Sequence, residues 1–142
     1  MKIDNQGQVS LEYLLIFAIS LIILVAFTLP LAEISIENTM DITNVLNAKS
    51  DLSKISSQIN QVYSEGEGSK HTVFVHKKNS IKIKVEKNKI YSNLKLNNGD
   101  YKKIKTSHKS NLKSTSLYLY KGKNILVIEW PVSSDKMVIY RK

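Results

Sequence analysis

Glu12 is the residue of this chain with the least ordinary setting. It stands two positions before residues 14–32, a run of 19 without a charge in which only Ser20, Thr28 and Pro30 are not apolar. A carboxylate at the edge of such a segment costs about 3 kcal/mol in hydrocarbon unless a partner meets it, which makes it a candidate functional group. The seven residues before Gln8 are polar, end in Gly7 and read as a leader. A cut after Gly7 leaves a new amine on Gln8, four residues from Glu12. Groups four apart are neighbours on a helix. In an assembly, Glu12 neutralises instead the N-terminal amine of an adjacent subunit. The chemistry on offer is ion pairing in an apolar medium.

Other chemistries find little support. There is no cysteine, which excludes disulfides, thiolate metal sites and cysteine catalysis. His71 and His76 are five apart and face opposite sides of a strand, so with His108 they form no metal motif, and all three are expected on the surface. No nucleophile elbow and no glycine-rich phosphate loop occurs. An enzyme is not expected, nor a cofactor or metal.

The elements that place Glu12 follow from hydropathy. As a helix, 19 residues cover about 28 Å, close to the hydrocarbon thickness of a bilayer. Residues 8–32 are read as a transmembrane helix, with a kink expected at Pro30. Lys2 precedes the run and the next base is Lys49, so the positive-inside tendency puts the N-terminus in the cytoplasm. Residues 33–64 continue the helix in amphipathic form. Val45, Leu52 and Ile59 are seven apart, and Ala48, Ile55 and Val62 each follow one of them by three. Such a stripe predicts a helix lying on its own domain's sheet. Two glycines among residues 64–69 end it.

Residues 70–142 read as a β domain. Alternating Ile81, Ile83 and Val85 with Lys82, Lys84 and Glu86 mark a half-buried strand, and strands are also expected at 72–76, 90–96, 101–105, 116–120, 125–130 and 137–141. Asn98-Gly99 is a hairpin signal. The fold class is therefore α+β, a long N-terminal hydrophobic helix packed on a C-terminal antiparallel sheet. A meander of roughly four to six strands is expected.

The octet from Gly7 to Leu14 resembles the class III signal peptides of archaeal type IV pilin-like proteins, with their Gln-x-Ser-x-Glu-aromatic hallmark before the hydrophobic segment. Gln8, Ser10, Glu12 and Tyr13 all match. The resemblance implies that a membrane-embedded prepilin peptidase cuts between Gly7 and Gln8, recognising Gln8, Ser10, Glu12 and Tyr13. It implies that Glu12 becomes the fifth mature residue and that the apolar helices pack into the core of a surface filament with other pilins. It covers residues 1–32 at most. The leader is less basic than many, and no Asn-x-Ser/Thr sequon occurs, so N-glycosylation at that signal is not expected.

Charge is unevenly spread around the net +9. Residues 8–69 hold two lysines against seven carboxylates, whereas residues 70–142 hold 17 lysines and Arg141 against four. Three readings of this basic region stay open. It is a solvated surface, an adhesive for anionic surfaces such as acidic polysaccharide, or a nucleic-acid site with Tyr91, Tyr101, Tyr118, Tyr120 and Tyr140 available for stacking. Two functions also stay open: a filament subunit, or a membrane-anchored or secreted surface binding module that never polymerises. A secretory cut after Ala32 is disfavoured by Pro30 at the third position before it.

Overall fold

A computed structural model of the chain describes residues 5–142, with side chains described from residue 10. Residues 1–4, and with them Lys2 and half of the expected leader, lie outside the described residues. Two compact units divide the chain, Met1–Met40 and Asp41–Lys142.

Helix α1 runs from Asn5 to Glu65. In the first unit every side chain from Ser10 to Met40 is exposed. The helix passes through Pro30 without a break. Proline has no amide hydrogen, so the Ala26 carbonyl loses its helical donor there. The hydroxyls of Ser20, Thr28, Ser35 and Thr39 are satisfied within the helix. Ser20 donates to the Ile16 carbonyl at 2.8 Å and Thr28 to the Leu24 carbonyl at 2.7 Å. Such back-bonding hides polar groups that hydrocarbon would penalise.

In the second unit, the rest of α1 carries the expected stripe into the core. Ala48, Leu52, Ile55, Ile59 and Val62 are buried against apolar residues of the strands. The helix ends where Gly66 takes φ 87°, a left-handed conformation open to glycine, and its amide reaches the Val62 carbonyl at 3.1 Å. Ser69 Oγ donates to the Val62 and Gly66 carbonyls at 3.0 and 2.6 Å.

Seven strands follow: β1 Lys70–Lys77, β2 Ile81–Val85, β3 Lys89–Lys95, β4 Tyr101–Ser107, β5 Thr115–Leu119, β6 Gly122–Glu129 and β7 Val138–Arg141. They form two antiparallel sheets, ordered β4-β3-β2-β5 and β1-β6-β7. The expected single meander is thus corrected. Only β2-β3-β4 and β6-β7 pair with their chain neighbours in meander fashion. Strand β5 returns beside β2, and β6 crosses to β1. The reason lies in β6, where four consecutive apolar residues, Ile125 to Ile128, suit the centre of a sheet better than an edge.

The β3–β4 connection is a hairpin with the Asn98-Gly99 signal at its tip. The Gly99 amide donates to the Leu96 carbonyl at 3.0 Å, and Gly99 has φ 89°. The carboxylate of Asp41 on the helix accepts the Asn97 amide at 3.1 Å.

Candidate processing and assembly segment

The backbone at Gly7 and Gln8 belongs to the first turns of α1. That turn is a weak one. It holds a glycine, which costs about 1 kcal/mol relative to alanine. Helical spacing then sorts the motif. Gln8 and Glu12 are one turn apart on one side, and Ser10 and Tyr13 are three apart on the other. Ser10, Glu12 and Tyr13 are exposed. Among the described residues no basic side chain pairs with Glu12, the ion pairs being those of Lys70, His71, Lys77 and Lys89.

Beyond the motif the helix presents apolar side chains all round. Leu14 is 69% exposed, Phe17 67% and Phe27 71%. A soluble amphipathic helix buries one such face; here none is covered. The helix is long and apolar enough to cross a membrane.

The class III signal peptide family model matches residues 5–31. This match supports a type IV pilin-like protein with a class III signal peptide. Such a signal indicates a type IV pilin-like or archaellin-like precursor. It implies processing by a prepilin peptidase and pilin assembly in general terms. With the N-terminal apolar helix, it supports membrane anchoring and secretion to the surface. No curated protein and no solved structure matches the chain.

The β domain holds features that the sequence did not announce. Lys77 on β1 donates to Asp51 on α1 at 2.9 Å, with side chains only 10% and 15% exposed. Neither belongs to a motif in the sequence, and only the β1 alternation, which puts Lys77 on the core face with Val73 and Val75, signals the pairing. His108, expected at the surface, is instead buried. It follows β4 at the start of the connection to β5, where its ring accepts or donates a 2.9 Å bond with Ser110 Oγ, while Nε2 makes no hydrogen bond. Burial pushes its pKa down from 6.5, against the backbone carbonyls of Glu86 and Lys89, which raise it. His71 is half-buried, with ring bonds of 2.9 and 2.8 Å to Gln58 and Glu65; His76 is exposed. Among the described residues no group of three or more His, Cys, Asp or Glu is placed to hold a metal ion.

Proposed function

We propose that the chain is a filament subunit, cut between Gly7 and Gln8 by a prepilin peptidase and assembled through its N-terminal helix into an adhesive pilus on the cell surface. The observation that carries this reading is the pairing of the class III signal match with a helix whose apolar side chains among residues 10–40 are all exposed. The weak first turn favours it. A turn that holds Gly7 unwinds at lower cost than one without a glycine. Gln8, Ser10, Glu12 and Tyr13 form the recognition motif, and residues 1–7 form the leader.

Before assembly, lipid covers residues 14–32. Once a subunit leaves the bilayer, the same surface is driven onto other copies by about 25 cal/mol per Å2 of apolar area. Identical heterologous contacts related by a screw operation give an open helical polymer. In that polymer Glu12 pairs with the Gln8 amine of a neighbour, and the domain of residues 70–142 forms the outer surface.

The test is the intact mass and N-terminal sequence of the protein from its native cells. A chain that begins at Gln8 supports the reading. A chain that begins at Met1 or Glu33 describes an anchor or a released secretory substrate, and the filament reading falls with its cleavage site.

A further inference from the structure

The exposed face of the four-stranded sheet is built from lysines and tyrosines in alternation. Strand pairing sets one row across all four strands, in which Lys105 faces Tyr91, Tyr91 faces Lys84, and Lys84 faces Ser116. Two residues along, Lys103 faces Asn93 and Lys82 faces Tyr118. The opposite faces of these strands hold Ile81, Ile83, Val85, Ile90 and Ile104 in the core, so the pleat obliges the cations and rings to share the outer side.

The rings and charges touch. Lys103 Nζ lies 4.3 Å from the centre of the Tyr91 ring and Lys82 Nζ 5.3 Å from that of Tyr118. Tyr118 and Tyr120 are 6.5 Å apart between ring centres, and the Arg141 guanidinium sits 4.3 Å from Tyr120. Tyr118 is 53% exposed and Tyr120 51%. Glu86 borders this strip, but Lys89 already pairs with it at 3.0 Å and Tyr91 donates to it at 2.8 Å. Those bonds, Lys89's first, hold its carboxyl below the usual range.

We propose that this face binds single-stranded nucleic acid, the lysines and Arg141 meeting phosphates and the tyrosines stacking on bases. Cations alone fit any polyanion. Exposed rings set among those cations add a stacking surface for planar bases, the combination that single-strand binders use. Each lysine in the row has a ring or a small polar residue opposite it, so a bound strand meets charge and ring in turn. This inference does not depend on filament assembly, since it concerns the β domain of a single subunit.

The test uses the full chain in zwitterionic detergent micelles, with a labelled oligothymidylate of about 20 nucleotides and, in parallel, polygalacturonate at equal charge. Oligothymidylate is expected to bind the more tightly. Tyr118→Ser and Tyr120→Ser each weaken it by about fivefold or more, while Tyr118→Phe and Tyr120→Phe, which keep the ring, do not. Lys82→Gln and Lys84→Gln each lower the slope of log affinity against log salt by about 0.7. All substituted positions are exposed, and an unchanged melting temperature confirms folding of each variant. Equal affinity for the two polymers with no loss in the serine variants overturns the proposal in favour of bare charge. Tighter polygalacturonate binding makes the face a polysaccharide site. No binding at low salt leaves it a solvated surface.

Discussion

Asp51 and Lys77 show how one contact ties the helix to the sheets. Each charge has left most of its water, and a 2.9 Å bond replaces it. Removing one partner strands the other, so Asp51→Ala is expected to destabilise the fold by about 3 kcal/mol. Replacing both with apolar residues of similar size, Asp51→Leu with Lys77→Met, is expected to cost far less. Denaturant unfolding of the two variants checks this, and equal losses from both would argue that packing, not charge, dominates. His108 gives a pH dependence of stability. Burial keeps its folded pKa below 6.5, so below that pH the unfolded chain takes up a proton that the folded chain refuses. Stability is therefore whole above pH 6.5 and declines as the pH falls from 6.5 towards the folded pKa. Thermal melts at about pH 7.5 and pH 5.5 are expected to differ more for the wild-type protein than for His108→Gln. Equal differences in the two proteins would remove His108 as the cause.

The helix has two kinds of apolar surface, which mutation separates. Ile59 is fully buried, and Ile59→Ala is expected to cost about 2–5 kcal/mol of stability in the β domain. Leu21 is exposed in the first unit, and Leu21→Ala is expected to leave the same melting transition unmoved. If both substitutions lowered that transition alike, the division of the helix into a covered and an uncovered part would be wrong. This division was legible in the sequence. An unbroken apolar run and a seven-residue stripe have different periods, and burial follows the period: Leu52, Ile55, Ile59 and Val62 are inside and residues 14–32 are outside. Strand positions were legible for a similar reason, since alternation at Ile81, Ile83 and Val85 reports one dry face and one wet face. Pairing was not, because register and partner are set by contacts distant in sequence. Nothing local to β5 says that it lies beside β2, and nothing local to β1 points to β6. His108 was misjudged for the same cause. It sits in no alternating pattern, and the loop after β4 turns it inward. In the candidate segment the signal was legible because it is a short linear stretch, residues 5–31 of the family match, and needs no tertiary contact to be read. The lysine–tyrosine strip needed the register, as its members come from four strands and the chain beyond them.

At the scale of the whole molecule, the chain joins an apolar helix with an acidic continuation to a strongly basic β domain, and Glu12 is the sole charge among residues 8–32. If the subunit assembles as proposed, that carboxylate has two settings. In the bilayer it lies near the interface. In the filament it is surrounded by other helices, where at an effective dielectric of about 20 an opposite charge 4 Å away is worth on the order of 4 kcal/mol. Only one axial stagger brings it to a neighbour's Gln8 amine, so the pair selects a register that apolar packing alone leaves open. Glu12→Gln keeps the size and hydrogen-bonding capacity of the side chain and removes its charge. In native cells this variant is expected to stay in the membrane fraction, with filaments at the cell surface reduced at least tenfold by electron microscopy, about 1.4 kcal/mol of lost contact being enough for that. Intact mass separates the two roles of the residue. Cleaved subunits without filaments place the defect in assembly. Uncleaved precursor places it in peptidase recognition and leaves register untouched. Normal cleavage with a normal number of filaments would show that the charge sets no register, and packing of the apolar run would have to do so unaided.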